Sequence, residues 1–395
     1  MVYRILFSIS LLVAQSVGSC GSNNSGSTPV TSNVQPIVVN AGPAQNYFNG
    51  VFTTVTICAP NQTTGCQTID GVLVDTGSTG LRILSSVVTV ALPTQTSNGS
   101  PVFTCGEFAD GYTWGPVQTA DIQMAGLKAP SVPIQVIGGS GSSAVPSTCS
   151  STGPPENTLA TLGANGVLGL GLFRQDCGAA CALSGASNPG VYFVCPAAAA
   201  CQPTAEPVNL QLQNPVWLFP TDNNGVVIQL PTIAPAGQAS VNGSLLFGVG
   251  TRSNNALGSA KVSTVDPVGN FTTTLGGRAY TSSYVDSGTN AYFFLDATTT
   301  GMPVCSDYPD FYCPPAPVSF SATTLGINGT VTPLNFTISN ADQRLANLAL
   351  SAFVDVGGPS PGTIVWGLPF FYGRTVFTAI EGQSTPAGTG PYWAY

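Results

Sequence analysis

The sequence has 395 residues and no histidine. Without histidine, the Ser-His-Asp and Cys-His nucleophile systems are excluded, and so is every metal site with a histidine ligand. Charge is also scarce: charged residues make up 7%, with 9 Lys and Arg against 17 Asp and Glu. So few cations cannot neutralise a phosphate backbone, which excludes nucleic acid as a partner. Any hydrolytic chemistry in this chain would therefore depend on carboxyl groups.

Long helices are disfavoured as well, because the chain contains 46 Gly and 32 Pro residues. From Tyr47 onward, short β-branched and aromatic runs alternate with turns rich in Gly, Pro and Asn. Such runs include residues 51–57, 132–137, 226–230 and 375–380. This pattern is typical of an all-β protein. Apolar residues at helical spacing are clearest over 342–354, where we expect one helix.

An export signal is predicted at residues 1–19. Arg4 supplies the positive start, and residues 5–14 form an apolar core that is too short to cross a bilayer. The letters VGSC at 17–20 resemble a bacterial lipobox, in which Cys20 is acylated and becomes the new N-terminus. The alternative is a general signal peptidase that cuts before Cys20, which would give a secreted protein.

The number of cysteines favours the lipobox. The sequence has 11 cysteines, and removing Cys20 leaves an even number, as an oxidising compartment favours. Residues 20–45 begin with a stretch rich in Ser, Asn and Gly, which suits a flexible tether. We therefore predict an exported lipoprotein of the bacterial cell envelope, attached to a membrane through a lipid on Cys20.

Short spacings predict three local disulfides. These are Cys58–Cys66, Cys195–Cys201 and Cys305–Cys313. The pairing of four further cysteines stays open at this point, because sequence alone does not determine it. These four are Cys105, Cys149, Cys177 and Cys181. The spacing of Cys177 and Cys181 also occurs in metal and redox motifs, but structural disulfides are the favoured interpretation.

The chain contains a weak internal repeat. The letters VDTGS at 74–78 return as VDSGT at 285–289, and each is followed later by two apolar residues and a glycine. These followers are VLG at 167–169 and VWG at 365–367. Two halves with the same landmarks in the same order predict a duplicated β-lobe. We place the first lobe at 46–214 and the second at 215–395.

The repeated motif places a carboxyl group at a strand end that enters a tight turn. Glycine permits the close approach of the backbone and offers an amide N–H to the carboxylate. Brought together on a two-fold axis, Asp75 and Asp286 would share one proton, because two adjacent carboxylates do not both ionise readily. One would act as a general base on water while the other protonates the scissile carbonyl. This chemistry implies no metal and no cofactor.

With these motifs the chain resembles the pepsin-type bilobed aspartic proteases, from about Tyr47 to the C-terminus. The resemblance implies that Asp75 and Asp286 are the catalytic pair and that Gly77 and Gly288 are the turn glycines. It also implies that hydroxyl groups lock the two loops together or bond the outer carboxylate oxygens. The locking residues are Thr76 and Ser287, and the bonding residues are Ser78 and Thr289. Together with the lipobox, the pattern resembles bacterial envelope lipoproteins that carry the aspartic-protease motif, for which no substrate is implied.

Three features depart from the pepsin-type pattern. The flap hairpin, expected over 106–124 with its turn near Asp110, carries Phe108 where the family has a tyrosine. Tyr112 and Trp114 lie nearby but are offset in register. Arg82 stands where the family often has a tryptophan that supports the flap. Residues 174–207 resemble an insertion rich in Cys, Ala and Pro.

Two functions follow as hypotheses. The first is an aspartic endopeptidase, expected to be a monomer, that binds an extended polypeptide as an added strand under the flap. The second is a non-catalytic envelope lipoprotein of the same fold, whose cleft binds a peptide, a glycan or a protein partner. The altered flap favours the second hypothesis, whereas the presence of both aspartates and all four hydroxyl residues favours the first. Aromatic residues such as Tyr47 and Trp217 are assigned to packing.

Overall fold

Short strands make up 44% of the chain and are its main regular structure, as the β-branched runs between turns predict. The computed structural model describes residues 32–139, 144–197 and 200–395. The predicted signal peptide at 1–19 and the predicted acylation site Cys20 lie outside the described residues. The prediction of an all-β fold is confirmed.

The strands of the first half pair mainly in one large sheet. They are β1 (Val34–Asn40), β2 (Gly50–Cys58), β3 (Gln67–Asp75), β4 (Thr79–Leu84), β5 (Thr96–Ser97), β6 (Ser100–Glu107), β7 (Tyr112–Met124), β8 (Leu127–Ile137), β9 (Gly166–Leu170), β10 (Tyr192–Val194) and β11 (Gln202–Pro203). The strands of the second half divide between that sheet, a second sheet and a small hairpin. They are β12 (Gly225–Gln229), β13 (Val241–Phe247), β14 (Val262–Thr264), β15 (Phe271–Leu275), β16 (Arg278–Val285), β17 (Tyr292–Leu295), β18 (Val318–Leu325), β19 (Val331–Ile338), β20 (Gly357–Gly358), β21 (Ser360–Trp366), β22 (Thr375–Ala379), β23 (Ser384–Thr385), β24 (Gly388–Thr389) and β25 (Tyr392–Ala394).

The helices of the described residues are all short. The α-helices are α1 (Ser147–Ser150), α2 (Leu159–Leu162), α3 (Ala297–Thr300) and α4 (Ala341–Leu345). The 3-10 helices are Ser85–Val87, Gly178–Ala182, Gly185–Ser187, Pro215–Leu218, Ser253–Asn255 and Leu368–Phe371. The structure contains no helix, among the residues it describes, that is long and apolar enough to span a membrane.

The helix predicted over 342–354 is wrong in most of its length. Only α4 forms there, and Leu348 is 87% exposed. The side chain of Asn347 accepts a hydrogen bond from the N–H of Ala349, and its carbonyl accepts one from the N–H of Leu350. This local polar turn competes with helical hydrogen bonding and ends the helix.

The two halves repeat one strand arrangement around the VDTGS and VDSGT motifs. In the first half, β9 runs parallel to β3 and antiparallel to β4, and therefore lies between them. In the second half, β21 lies in the same way between β16 and β17. The segment VLG lies within β9, and VWG covers the end of β21 and Gly367, which directly follows it. Each aspartate loop is thus supported from behind by a strand from a distant part of the chain.

A single sheet connects the two halves. Strand β1 pairs antiparallel with β2 and also with β13. From β13 the sheet continues through β12 and β22 to β25. Residues 32–395 accordingly form one compact unit. The lobe boundary placed between 214 and 215 stays a prediction.

The tether predicted over 20–45 is wrong in its second part, because residues 34–40 are strand β1. Gln35, Ile37 and Val39 are buried in this strand, and Pro36 and Val38 between them are more exposed. Such alternation of burial along the chain is the pattern of a half-buried strand. The Ser- and Asn-rich composition of the preceding residues concealed it.

Five disulfides are formed by ten cysteines. The three predicted pairs Cys58–Cys66, Cys195–Cys201 and Cys305–Cys313 are present. The four cysteines left open pair as Cys105–Cys149 and Cys177–Cys181. So many disulfides are typical of proteins exported to an oxidising compartment, outside the cytoplasm.

Asn49 connects the beginning of β2 to the second half of the chain. This fully buried residue has a φ of 50°, and its amide nitrogen donates to the carbonyl oxygens of Asn290 and Phe353, each at 2.9 Å. Its side-chain oxygen accepts from the N–H of Phe353 at 2.8 Å and from the hydroxyl of Tyr372 at 2.9 Å. All hydrogen-bonding capacity of the amide is therefore used between the halves.

We expect Asn49→Ala to lower the free energy of unfolding by about 3 kcal/mol, because it leaves several buried polar groups unpaired. Asn61→Ala is a matched control, since Asn61 has a similar φ of 62° but is exposed. It shares the backbone cost of a left-handed alanine, about 1 kcal/mol. Urea denaturation measures both variants, and equal losses would show that the side-chain hydrogen bonds of Asn49 contribute nothing.

Candidate active site

Each motif aspartate is held by its own turn in the same way. Asp75 is the last residue of β3, and its Oδ1 accepts from the N–H of Gly77 at 2.7 Å while its Oδ2 accepts from Ser78 Oγ at 2.5 Å. Asp286 follows β16. Its Oδ1 accepts from the N–H of Gly288 and its Oδ2 from Thr289 Oγ1, both at 2.7 Å. These hydrogen bonds fix the orientation of both carboxyl groups.

Two buried hydroxyl residues connect the turns to each other. The N–H of Thr76 donates to Ser287 Oγ at 3.1 Å, and the N–H of Ser287 donates to Thr76 Oγ1 at 2.9 Å. Ser287 Oγ in turn donates to the carbonyl oxygen of Val74 at 2.7 Å. Thr76 is 2% exposed and Ser287 is fully buried, so no solvent competes for these bonds.

The two carboxyl groups lie close together across this connection. A Cβ atom on Gly77 would lie 2.6 Å from Cγ of Asp286, and one on Gly288 would lie 2.7 Å from Cγ of Asp75. Only glycine lets each turn approach the opposite aspartate so closely. The structure therefore brings together all eight residues that the sequence analysis assigned to the catalytic pair and its support. Their catalytic roles stay predictions.

Burial and repulsion act on the same carboxyl group. Asp75 is 6% exposed, whereas Asp286 is half-buried. Burial, followed by the charge of Asp286, raises the pKa of Asp75 well above its usual range, although the hydrogen bonds from Ser78 and Gly77 oppose the shift. The pair therefore retains one proton at pH values where isolated carboxylic acids have lost theirs.

The flap hairpin forms where the sequence predicts it, from β6 and β7. Its turn is closed by a hydrogen bond from the N–H of Phe108 to the carbonyl oxygen of Gly111. The guanidinium of Arg82 lies 5.7 Å from the ring centre of Phe108, a cation–π contact. Arg82 also donates to the carbonyl oxygen of Thr79 and to Asp176. Arg82 and Phe108 thus form a contact between β4 and the flap, at the positions where the resemblance led us to expect tryptophan and tyrosine.

Tyr112 and Trp114 belong to the flap but face away from Arg82. Both are buried in an aromatic and disulfide cluster in which Trp114 stacks on Phe103, with ring centres 5.4 Å apart. Between them in sequence, Thr113 bonds to Gln135 on the opposite face of the strand. Tyr112 and Trp114 are therefore packing residues of the flap rather than residues of its inner surface.

The insertion predicted at 174–207 extends the flap sheet. Strand β10 pairs with β6, and β11 pairs with β10. The disulfide Cys105–Cys149 also joins β6 to α1, and on the β7 edge of the hairpin the N–H of Tyr112 donates to the carbonyl oxygen of Pro154. The flap is therefore supported along both of its edges.

Two tyrosines near the dyad were missed as site residues. Burial first, and then the charges of Asp110, Asp75, Asp286 and Glu156, raise the pKa of Tyr47 above its usual range. Tyr47 had been assigned to packing, and no local pattern distinguishes it from a core tyrosine. Burial and the charges of Asp286 and Asp75 raise the pKa of Tyr284 to about 12. Tyr284 is two residues before Asp286 in an extended segment, and this spacing could have predicted that the two side chains face the same side.

One group of possible metal ligands occurs among the residues that the structure describes. It consists of Cys305, Cys313 and Asp342. The two sulfur atoms are bonded to each other in a disulfide, so neither is available as a thiolate ligand.

A family model with the description "Protein of unknown function (DUF3443)" matches residues 29–395. The chain belongs to this family. No curated protein matches the chain. Among solved structures, the crystal structure of an aspartic proteinase from Irpex lacteus matches with a TM-score of 0.51 and 15% sequence identity, covering 91% of this chain and 96% of that chain. At this identity the likeness shows the fold alone, and this member of the family has the fold of the pepsin-like aspartic proteinases.

The raised pKa of Asp75 predicts a pH-dependent effect on stability. A carboxyl group whose pKa is raised on folding destabilises the native state as pH rises above the pKa that the group has in the unfolded chain. We expect Asp75→Asn to be as stable as wild type near pH 3 and more stable near pH 7, by roughly 1.4 kcal/mol for each unit of the raised pKa. Thermal unfolding across pH 3 to 7 measures the difference, and a difference independent of pH would contradict the shift.

We predict that the disulfide between Cys105 and Cys149 limits local opening of the flap. We expect replacement of both cysteines by alanine to increase amide hydrogen exchange over 100–124 by at least about tenfold, because a link across 44 residues is removed. Replacement of Cys305 and Cys313, which are also only 8 residues apart but lie in the second half of the chain, is the control and leaves exchange in the flap unchanged. Unchanged exchange in the first variant would show that strand pairing alone holds the flap.

Proposed function

We propose that the chain is an aspartic endopeptidase, which hydrolyses peptide bonds in extended polypeptides. The observation that carries this proposal is the paired arrangement of Asp75 and Asp286, each held by a glycine N–H and a hydroxyl group across the Thr76–Ser287 connection. A protein that only binds its partner has no need for a buried carboxyl group that is repelled by a second, half-buried one. Their retention at a cost in stability supports a chemical role.

The proposed reaction uses the one proton that the pair retains. Asp75 holds it, because burial disfavours its ionised form, and Asp286 is the carboxylate that removes a proton from water. The resulting hydroxide attacks the carbonyl carbon while Asp75 protonates the carbonyl oxygen, which gives a tetrahedral diol. Asp286 then gives its new proton to the amide nitrogen while Asp75 takes a proton back from a hydroxyl group of the diol, so that the C–N bond breaks and an amine and a carboxylic acid are released. The cycle leaves one proton on the pair.

The flap supports a polypeptide as the substrate class. An extended chain can lie under the tip of the hairpin and exchange main-chain hydrogen bonds with the turn at 109–110, which requires no particular sequence. Phe108 and Arg82 support the hairpin from below in place of a hydroxyl group. The protein therefore needs no flap tyrosine to hold the hairpin near the dyad.

Cleavage of an unfolded protein between pH 3 and 7, with and without a statine-type inhibitor, tests the proposal. We expect inhibitor-sensitive cleavage at acidic to mildly acidic pH, lost at higher pH as the pair gives up its proton. Asp75→Asn or Asp286→Asn should lower the rate by at least about 10³-fold, because each removes the acid or the base. Asp307→Asn, on an exposed loop, is the matched control and retains activity.

Two results would contradict the endopeptidase proposal. A folded, disulfide-bonded protein that cleaves nothing over this pH range, yet binds the inhibitor peptide, would assign the chain to the non-catalytic hypothesis. Cleavage that persists in either aspartate variant would exclude the dyad as its source.

We further propose that the protein is anchored to the bacterial cell envelope through a lipid on Cys20. The ten cysteines of the described residues are all paired with one another, which supports a separate role for Cys20. In cells labelled with a palmitate analogue, we expect the protein to carry the label and to fractionate with membranes. Cys20→Ser should lose both properties, whereas an unlabelled wild-type protein in the medium would support secretion after cleavage by a general signal peptidase.

A further inference from the structure

The hairpin formed by β18 and β19 ends in exposed aliphatic side chains. Leu325 and Val331 lie opposite each other as the last pair before the turn, and Ile327 is part of the turn itself. Leu325 is 41% exposed, Ile327 is 66% exposed and Val331 is 51% exposed. Surface turns are dominated by glycine, proline and short polar residues, so an exposed isoleucine at this place needs an explanation. We call these three residues the apolar tip.

The rest of this face of the hairpin is mostly polar. Ser319 lies opposite Thr337, and their hydroxyl groups form a hydrogen bond of 3.2 Å. Ser321 lies opposite Asn335, and its hydroxyl donates to Asn335 Oδ1 at 2.8 Å. The sequence has no charged residue from 311 to 341. On this face the large aliphatic side chains are therefore concentrated at the end, without charge beside them in the sequence, which favours an apolar partner.

The apolar tip is attached to the sheet that connects the two halves. The N–H of Ile327 donates to the carbonyl oxygen of Thr264 on β14 at 2.9 Å. The side chain of Asn328 donates to the carbonyl oxygen of Val262 on the same strand, also at 2.9 Å. These bonds fix the tip at one end of β14. From Thr264 a row of paired residues crosses β25, β22 and β12 through Tyr392, Ala379 and Gly225.

The described chain begins at the same end of this sheet. Gly225 accepts a hydrogen bond from the N–H of Gly248, the residue that follows β13, and Phe247 exchanges backbone contact with Asn33 through an N–H to carbonyl bond of 2.8 Å. The strand order from β1 to β14 is β1, β13, β12, β22, β25, β14. Five strand spacings of about 4.8 Å separate the two strands by about 24 Å.

The distance to Cys20 allows both places to meet one membrane. Cys20 is 12 residues before Ser32, where the described chain begins. A chain of that length spans at most about 40 Å. This reach exceeds the separation between β1 and β14. A lipid on Cys20 and the apolar tip can therefore contact the same bilayer surface at the same time.

A cation lies beside the apolar tip. Lys261 is exposed, and its Nζ donates to the carbonyl oxygen of Val331 at 3.2 Å. Asp266 follows β14, and its Oδ1 accepts from the N–H groups of Val268 and Asn270 in its own loop. A lysine at the edge of an apolar surface can contact lipid phosphate groups while its neighbours enter the boundary of the hydrocarbon.

We propose that the apolar tip inserts into the surface of the membrane to which a lipid on Cys20 attaches the chain. This inference rests on the proposed anchor and adds a second contact with the bilayer, made by the protein itself. Three aliphatic side chains alone bind a bilayer weakly, but attachment at Cys20 keeps them at a high effective concentration beside it. Two contacts also orient the protein on the membrane, which one point of attachment does not.

The size of the apolar tip favours a bilayer over a second protein. A stable protein interface takes about 800 Å² from each partner, with roughly 20 to 30 residues a side, whereas the tip has three. The edge strand β19 also contains Pro333, which hinders the addition of another strand. Insertion into a bilayer surface requires neither a large area nor matched hydrogen bonds.

Quenching of tryptophan fluorescence by brominated lipid tests the inference. Six histidines placed before residue 21 attach the chain to vesicles of phosphatidylethanolamine and phosphatidylglycerol that contain a nickel-chelating lipid, since the chain has no histidine of its own. The reporter is Ile327→Trp, and the control is Ser321→Trp, on the same face about 13 Å behind Leu325. After subtraction of the wild-type signal, we expect at least about twofold more quenching of Ile327→Trp, because interfacial groups enter only about 5–10 Å.

The same reporter measures the contribution of the neighbouring aliphatic groups. Leu325→Asn, combined with Ile327→Trp, should lower the quenching at least about twofold, because it removes apolar surface from the contact. Leu348→Asn is the matched control and leaves the quenching unchanged, since Leu348 is 87% exposed but lies outside the hairpin, after α4. Equal quenching of the two reporters, or quenching that Leu325→Asn leaves unchanged, would overturn the inference.

A measurement on the chain without substitutions covers the case in which a variant does not fold. Amide hydrogen exchange over 325–331 should slow at least about threefold when the tagged chain is attached to the vesicles, whereas exchange over 319–323 should not change. Unchanged exchange at the tip would contradict its insertion. Sedimentation without vesicles tests the other occupant: a dimer that Leu325→Asn dissociates would assign the tip to a second copy of the chain.

The nickel-chelating lipid separates this inference from the proposed anchor. It attaches the chain whether or not Cys20 is acylated in cells. Absence of the palmitate label would remove the proposed lipid on Cys20, while quenching of Ile327→Trp would still show that the tip enters a bilayer. A labelled protein whose tip is not quenched would keep the anchor and overturn the inference.

Discussion

The reciprocal hydrogen bonds between Thr76 and Ser287 are the interaction on which the site depends. They hold two like-charged carboxyl groups in contact, an arrangement that repulsion would otherwise open. Because both residues are buried, water does not replace these bonds when the carboxylates ionise. The remaining features serve this contact: Gly77 and Gly288 leave room for the opposite aspartate, and β9 and β21 support the turns from behind.

The rest of the molecule keeps the two turns in register. Strand β1 carries the first half of the chain into the sheet of the second, and Asn49 adds a buried set of hydrogen bonds beside the Asp286 turn. The flap is supported by a disulfide and by the inserted strand β10. Positioning groups on a rigid scaffold limits the reorganisation that a reaction requires. The sheet that joins the two halves and the supported flap therefore both limit movement of the groups around Asp75 and Asp286.

The repeated VDTGS and VDSGT motifs allowed the fold and the residues around the dyad to be predicted, because each motif encodes its own turn. What sequence could not predict depends on contacts between distant residues. Glu156 lies beside Gly111 of the flap turn, 45 residues earlier in the chain, and no local pattern reveals this contact. Tyr47, 28 residues before Asp75, comes under the influence of the dyad charges only through the folding of the whole lobe. Likewise, β1 is a strand because β13 lies beside it, and Cys105 pairs with Cys149 because the flap meets α1. The helix expected over 342–354 failed for a local reason, the competing turn at Asn347.

The buried carboxyl groups of the first half relate stability to the proposed chemistry. Burial raises the pKa of Glu156 and Glu206 to about 7, and that of Asp176 to about 6 even though Arg82 opposes the shift. Together with Asp75, these groups are protonated in the native state at pH values where the unfolded chain has lost its protons. The contribution of these groups to native stability is therefore greatest at low pH and is lost as pH rises from about 4 towards 7. The dyad requires its shared proton over the same range, so the folded state and the proposed reaction favour the same acidic conditions.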